Sequence, residues 1–144
     1  MKWLWLTYAV YWLSVALAAA LALAGHHLID PEVVERAFNE TASLPYEQRL
    51  LQSALDLLVV AAVSYPGLFY AAAAYGVATA SVAEAFGVGY AVLYAVVAHV
   101  VLLFFAEVAR WHPLAQLLGK RGIKWGRYLL WIAASFSLLG LLSL

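Results

Sequence analysis

The sequence has no cysteine and little charge, and each shortage excludes a class of function. Without cysteine there are no disulfides, thiolate metal ligands, cysteine-ligated iron–sulfur clusters or thiol redox chemistry. The net charge is zero, so no overall field attracts nucleic acid or acidic substrates. The sequence also lacks a nucleophile elbow, a phosphate-binding loop, an HExxH motif and a dinucleotide-binding fingerprint. Function must therefore reside in the few polar residues of an otherwise apolar chain.

Apolar residues are what the chain has in excess. Of its 144 residues, 67% are hydrophobic and 11% are charged, and the mean hydropathy is +0.89. Soluble domains carry about 25% charged residues, so lipid must cover most of this surface. The composition predicts a single all-α domain, residues 1–144, in which four transmembrane helices form a bundle beside a short interfacial amphipathic helix. One Asn, three Gln and one Met indicate a thermophilic source, because such proteins contain few labile residues.

Four apolar segments are long enough to cross the roughly 30 Å hydrocarbon layer as α-helices. The predicted spans are residues 3–24, 46–75, 86–110 and 125–144. In the second span Pro66 removes a backbone donor, which predicts a kink between Val63 and Pro66. A short connection rich in small residues, 76–85, is expected after it, with Glu84 as its only charge.

Loop 1, residues 25–45, is acidic and contains the signals of a short helix. Asp30 precedes Pro31, which is the pattern of an N-cap residue before a proline at the first helical position. The predicted helix covers about residues 31–39, and its apolar residues recur at helical spacing. Such a helix is expected along the membrane interface or against another chain.

The basic residues predict the orientation in the membrane. With four spans, loop 1 and the basic loop 3 (111–124) share one side, which holds seven of the eight Lys and Arg residues, whereas the other side holds Lys2. Because cytoplasmic loops carry the excess of Lys and Arg, both loops are predicted to be cytoplasmic and both termini outside, in a prokaryotic plasma membrane. The glycosylation sequon Asn39-Glu40-Thr41 opposes this orientation, since a sequon matters only outside the cell.

His99 lies near the middle of the third predicted span, where an unpaired polar group is costly. Ala91, Ala95 and Ala98 precede it at helical spacing, which predicts a small-residue face for close helix packing. We therefore expect His99 to face protein, water or a ligand. Two interpretations stay open. The imidazole is hydrogen-bonded to a hydroxyl or carbonyl of a neighbouring helix, or it serves as a haem or metal ligand or a step in a proton path.

The other three histidines define a second candidate site. The residues expected at similar depth near the cytoplasmic face are His26, His27, His112, Asp30 and Glu107. These side chains are of the types that bind a metal, and the histidines are also candidates to share a b-type haem with His99. They are equally typical of an interface without a ligand. A di-haem arrangement fits poorly, because His99 and His112 lie about 140° apart around the helix axis.

Two further sets of ionisable residues are candidate sites. The candidates for an ion or proton path are Asp56, His99 and Glu107. The structural alternative is ion pairing, of Asp56 with Arg49 or another basic residue of the loops, and of Glu107 with Arg110. The candidates for binding lipid headgroups are Lys120, Arg121, Lys124 and Arg127, which also form the orientation signal.

Three functional hypotheses follow, and none of them is an enzyme with an identifiable reaction. The first is a small non-catalytic subunit that packs against partner subunits, or copies of itself, in a larger membrane complex such as a respiratory one. The second is a b-type haem subunit that uses His99. The third is a small oligomeric channel or transporter with Asp56, His99 and Glu107 on its path. In each case the expected partners are lipid and membrane proteins, with no nucleic acid.

Overall fold

A computed structural model of the chain describes residues 2–144, and 86% of the chain is helical. Within these residues the helices are α1 Lys2–Leu23, α2 Pro31–Ser43, α3 Tyr46–Val63, α4 Tyr65–Phe86, α5 Val88–Trp111, α6 Pro113–Leu118 and α7 Trp125–Leu142. No strand occurs between residues 2 and 144, so the prediction of an all-α fold is confirmed.

Three helices, α1, α5 and α7, are long and apolar enough to cross a membrane. They coincide within two residues with three of the four predicted spans. Only 17% of the most apolar stretch of α1 or α7 is buried, and 33% of that of α5. The exposed side chains on α1 and α7 include Leu13, Leu17 and Leu129. Apolar surface of this extent is consistent with lipid contact and is that of an integral membrane protein.

The second predicted span, 46–75, is not a single kinked helix. α3 ends at Val63 and α4 begins at Tyr65, and Ser64 between them adopts φ 64° and ψ −129°. Pro66 explains the break. Inside a continuous helix its ring would clash with the preceding turn and one hydrogen bond would be lost, whereas in the first turn of a new helix neither cost arises.

The turn at Ser64 brings the start of α4 against α3. A Cβ added to Gly67 would lie 2.8 Å from the carbonyl oxygen of Val59, closer than real Cβ atoms approach. The Ser64 hydroxyl donates to the carbonyl oxygen of Ala109 on α5 at 3.0 Å. The break is therefore a packed corner, where a kink was expected.

The predicted connection 76–85 is helical. α4 continues to Phe86, and the chain turns at Gly87, whose φ of 92° favours glycine. Alanine, the strongest helix former, is common in this segment. Small residues were interpreted as a loop, but here they extend a helix.

Each of the two loops contains a helix. In loop 1, α2 runs beyond the predicted end at residue 39 to Ser43, and Asp30 caps it by accepting a hydrogen bond from the Glu32 N–H at 2.9 Å, as its sequence predicts. In loop 3, α6 was not predicted. His112 caps it, because its Nδ1 accepts from the Leu114 N–H at 3.2 Å.

The chain divides into two compact units. The first unit comprises the residues up to Leu44 together with Ala72–Val100. In it α1 packs parallel to α4, since Tyr11 bonds to Thr79 and, further along the chain, His27 contacts Glu84. The parallel direction follows because later residues of one segment meet later residues of the other.

The second unit comprises Pro45–Ala71 and Val101–Leu144, and in it α3 packs antiparallel to α7. Near the start of α3 the Tyr46 hydroxyl donates to the Gly140 carbonyl oxygen at 3.1 Å. Near its end the Ala61 carbonyl oxygen accepts from the Tyr128 hydroxyl at 2.6 Å. Hydroxyl-to-carbonyl bonds thus join these helices at both ends.

Candidate functional site

His99 lies in a cluster of aromatic rings within the first unit. Its ring centroid is 4.8 Å from that of Tyr8, 4.6 Å from that of Tyr11 and 5.5 Å from that of Trp12, all on α1. The Tyr8 hydroxyl also donates to the His99 carbonyl oxygen at 3.2 Å. The side chain is half-buried, and the rings of α1 cover it.

The imidazole of His99 is held in one tautomer. Its Nδ1 lies 2.7 Å from the carbonyl oxygen of Ala95, one turn earlier in α5. A carbonyl oxygen only accepts, so Nδ1 carries the proton and the neutral ring keeps its lone pair on Nε2. One of the two interpretations of the sequence placed a hydrogen-bond partner on a neighbouring helix. The partner belongs to the same helix instead, and the groups of α1 next to the imidazole are the aromatic rings of Tyr8, Tyr11 and Trp12.

Tyr11 and Thr79 join α1 to α4 next to this cluster. The Thr79 hydroxyl donates to the Tyr75 carbonyl oxygen at 2.7 Å, so the Tyr11 hydroxyl is the donor in its 2.6 Å bond to Thr79 Oγ1. Tyr11 is fully buried and Thr79 nearly so. Away from water the Tyr11 hydroxyl would otherwise be unsatisfied, and an interhelical bond of this kind in a membrane stabilises by about 0.6–2 kcal/mol.

A cavity of about 510 Å³ lies beside the aromatic cluster, within the first unit. It is lined by Trp12, Val15, Ala19, Ala22, Leu23, Thr79, Ala80, Ala83, Glu84, Ala91, Val92 and Ala95. At one end, Trp12 and Ala95 are the residues that also contact His99. Glu84 is the one charged residue of the lining. The volume lies in the range of small-molecule sites, about 300–1,000 Å³.

His27 and Glu84 form a hydrogen bond at the polar end of the cavity. The His27 Nδ1 lies 2.6 Å from Glu84 Oε2, and their side chains are 43% and 24% exposed. A partly exposed contact between charged or polar side chains adds little to stability. The position of His27 and Glu84 beside a cavity is therefore more informative than the strength of their contact. Sequence reasoning missed this site. Its signal was a single carboxylate within an alanine-rich segment.

His112, in the second unit, has a structural role. Its Nδ1 caps α6 by accepting from the Leu114 N–H, and its Nε2 donates to the Ala61 carbonyl oxygen at 3.1 Å. The ring also meets the edge of Tyr128, with centroids 5.4 Å apart. Both ring nitrogens are therefore occupied, and neither is open to a haem or metal.

The candidate metal site near the ends of the first and third spans does not form within residues 2–144. Its members were His26, His27, His112, Asp30 and Glu107. Between residues 2 and 144 no group of three or more His, Asp or Glu side chains is arranged to hold a metal ion. His27 is bonded to Glu84, His112 caps a helix, and Asp30 caps α2. Local hydrogen bonds thus use the groups that the metal would have needed.

Glu107 is engaged in two hydrogen bonds. Its carboxylate accepts from Arg110 Nη1 at 3.3 Å and from Trp111 Nε1 at 3.1 Å. The predicted pairing with Arg110 is confirmed. These bonds follow from the spacing of three and four residues on one helix face.

Asp56 and Arg49 do not form the predicted ion pair. Within residues 2–144 the contacts between a carboxylate and a basic side chain are His27–Glu84 and Glu107–Arg110, and Asp56 takes part in neither. Seven residues separate Asp56 from Arg49, which places them two turns or about 10 Å apart along α3. Asp56 is half-buried, and the Nε of Arg49 is buried with no hydrogen-bond partner among residues 2–144. The path through Asp56, His99 and Glu107 stays a prediction.

The basic residues of loop 3 are arranged around Trp111. The guanidinium of Arg127 lies 4.6 Å from the ring centroid, that of Arg110 5.4 Å, and the Lys124 ammonium 5.9 Å. Two of the predicted headgroup residues therefore also make cation–π contacts, whereas Lys120 and Arg121 are exposed.

Gln116 stabilises the same loop through two hydrogen bonds to its main chain. Its Nε2 donates to the Trp111 carbonyl oxygen at 2.5 Å, and its Oε1 accepts from the Lys124 N–H at 2.8 Å. The side chain is 3% exposed. Sequence reasoning missed this residue, because a glutamine in a loop carries no signal of burial.

No protein-family model, curated protein sequence or solved structure matches this chain. The candidate sites are therefore interpreted from their own geometry.

Proposed function

We propose that the protein is a small non-catalytic subunit of a membrane complex, and that α3 is its main contact with a partner. The observation that carries the proposal is the pair of ionisable side chains on α3 that the chain leaves unsatisfied. Arg49 has a buried Nε without a partner among residues 2–144, and Asp56 is half-buried outside any ion pair. Such groups in an apolar setting pair with polar groups of a neighbour.

Native mass spectrometry of the protein extracted in mild detergent tests this proposal. We expect a stoichiometric complex that contains the 15.7 kDa chain and at least one different chain. Asp56→Leu should dissociate the complex, because it leaves the partner's polar group unpaired. The control is Glu40→Leu on α2, which removes an exposed carboxylate from loop 1. A wild-type protein that is monomeric, or a homo-oligomer indifferent to Asp56→Leu, contradicts the proposal.

We also propose an orientation that differs from the one predicted from four spans. In the first unit, loop 1 contacts the end of α4, through His27 with Glu84 and through Phe38 with Phe86. α5 begins two residues later and is 24 residues long, about 36 Å. When α5 crosses the bilayer, the loop 3 that follows it lies on the side opposite to loop 1.

This orientation needs five crossings, with α3 and α4 each spanning the membrane. The cytoplasmic side then holds the N-terminus, the last turn of α5 and loop 3, which together carry six of the eight Lys and Arg residues. The acidic loop 1 and the C-terminus lie outside. The sequon at Asn39 is then also outside, which removes the conflict that it caused.

The absence of native cysteine makes the orientation directly measurable. Ala42→Cys places a thiol in loop 1, and Gly122→Cys places one in loop 3, at two exposed positions. In intact cells a membrane-impermeant maleimide should label Ala42→Cys, and it should label Gly122→Cys only after permeabilisation. Equal labelling of the two variants from one side would restore loops 1 and 3 to the same face.

A second candidate function, a b-type haem subunit, is favoured by the tautomer of His99. Ligating histidines commonly donate one N–H to a carbonyl and bind the metal through the other nitrogen, which is the state of His99. The rings of Tyr8, Tyr11 and Trp12 surround the imidazole, so a porphyrin would have to displace one of them. An absorption spectrum of the purified protein decides. A Soret band that His99→Ala removes and His112→Asn keeps supports haem, and its absence in protein from haem-replete cells refutes it.

A further inference from the structure

We propose that the cavity of the first unit binds a membrane quinone or quinol, with the ring headgroup beside His27 and Glu84 and the prenyl chain along the alanine-lined interior. The proposal goes beyond a subunit role and concerns residues that the assembly proposal does not use. It rests on the apolar lining of the cavity, its length along α1, the contact between α1 and α5 at Trp12, and the charge near Glu84.

The body of the cavity suits one hydrocarbon chain. Six of its lining residues are alanine, and the remaining apolar ones are Val15, Leu23 and Val92 with the Trp12 ring. From Trp12 to Leu23 the lining extends along eleven residues of α1, about 16 Å. That is close to half of the roughly 30 Å hydrocarbon layer, so a chain that enters from one face ends near the bilayer midplane.

The limited length of the cavity disfavours a partner helix as the occupant. Trp12 lines the cavity and also packs on His99, so α1 and α5 meet at that point. A transmembrane helix is about 10 Å wide and crosses the full bilayer, so it would need a groove that stays open along its length. A flexible chain that terminates inside the membrane has no such requirement.

The polar end suits a neutral headgroup with hydroxyl or carbonyl oxygens. When the Glu84 carboxylate accepts from His27 Nδ1, the neutral imidazole presents Nε2 as an acceptor for a quinol hydroxyl. A protonated His27 presents an N–H for a quinone carbonyl instead. The pair can therefore bind either form of the same ring.

Charge near the same end disfavours anionic amphiphiles. Loop 1, whose Phe38 packs on Phe86 two residues after Glu84, is rich in acidic side chains. They are Asp30, Glu32, Glu35 and Glu40, against the single arginine Arg36. A carboxylate or phosphate headgroup would be repelled here, whereas an uncharged quinone would not.

Quenching of tryptophan fluorescence by decylubiquinone, with the protein in lipid nanodiscs, tests the proposal. We expect saturable quenching that Trp12→Phe reduces, since Trp12 lines the cavity. Ala19→Phe fills the cavity and should raise the Kd more than about tenfold. Ala20→Phe is the matched control, because Ala20 is the exposed neighbour on the same helix and does not line the cavity.

The headgroup is tested separately with the same probe. His27→Ala and Glu84→Gln should each raise the Kd about three- to tenfold, the effect of losing one hydrogen bond. His26→Ala, the adjacent exposed histidine, should leave it unchanged. Quenching that does not saturate, or that Ala19→Phe and Ala20→Phe alter equally, overturns the site. If oleate displaces the quinone at equal concentration, the choice of a neutral headgroup is wrong. If a tightly bound phospholipid occupies the cavity and decylubiquinone cannot displace it, the cavity is a lipid site and the proposal is overturned.

Discussion

The two compact units join their helices by different means. In the first unit α1 and α4 approach so closely at Gly76 that a Cβ there would overlap the Tyr11 carbonyl oxygen. In the second unit α3 and α7 are bridged by long side chains that reach main-chain oxygens, as Tyr46 reaches Gly140 and Tyr128 reaches Ala61. Without water, helices associate through close packing and through hydrogen bonds. The α1–α4 contact combines close backbone approach with the Tyr11–Thr79 bond, whereas the α3–α7 contact has hydroxyl-to-carbonyl bonds at both ends.

The difference also bears on function. The cavity of the first unit is lined by residues of α1, α4 and α5, half of them alanine. In the second unit, buried polar side chains such as His112 and Gln116 use their polar groups in hydrogen bonds within the chain, so these groups are not open to a ligand. We expect substitutions in the two units to fail in correspondingly different ways, and three measurements compare them.

The largest effect is expected in the first unit, for Gly76→Ala. The new methyl would meet the Tyr11 carbonyl oxygen and the Ser14 Cβ, so α1 and α4 must separate and the Tyr11–Thr79 bond lengthens. Overpacking of this kind costs about 1–3 kcal/mol. Reversible unfolding in mixed micelles, followed by circular dichroism, measures the loss.

Gly89→Ala is the matched control for this prediction. A Cβ at Gly89, on α5, meets nothing within 4 Å. Alanine should therefore be neutral there or stabilise by less than about 1 kcal/mol, because Gly89 lies in the first turn of α5 and glycine is the less favourable residue in a helix. If both glycine variants unfold alike, close backbone contact is not what joins α1 to α4.

In the second unit the largest effect is expected for Gln116→Met, which keeps the size and removes both polar groups. The Trp111 carbonyl oxygen and the Lys124 N–H would lose their buried partner, at a cost of about 1–3 kcal/mol. Hydrogen exchange at the Lys124 amide should accelerate accordingly. Gln52→Met, at an exposed position on α3, should change neither stability nor that exchange rate.

The smallest effects are expected where two donors share one acceptor. The Ala61 carbonyl oxygen accepts from both His112 Nε2 and the Tyr128 hydroxyl, so either donor alone can satisfy it. Tyr128→Phe and His112→Asn should each cost less than about 1 kcal/mol, since asparagine keeps the cap of α6. The double variant should exceed their sum by about 1 kcal/mol. Strict additivity would show that the two bonds act independently.

Several features of the fold were predictable because their causes are local. Three spans and the all-α class follow from the length and apolarity of continuous segments, which any helix in lipid must have. The cap at Asp30 follows from a residue pattern over two positions. The corner at Ser64 was predicted only as a kink near Pro66, since a proline determines where a helix is interrupted but not how far the chain turns.

The sequence by itself determined that lipid surrounds the chain and that the chain forms helices. Both depend on composition and on neighbours a few residues away, through the burial of apolar segments and the hydrogen bonds of the backbone. Tertiary structure alone decided which polar groups meet. His27 and Glu84 are 57 residues apart in the chain, and His99 lies opposite aromatic rings some 90 positions earlier. The identity of a side chain's partner depends on which helices pack together and in which rotation, and no local pattern encodes that choice.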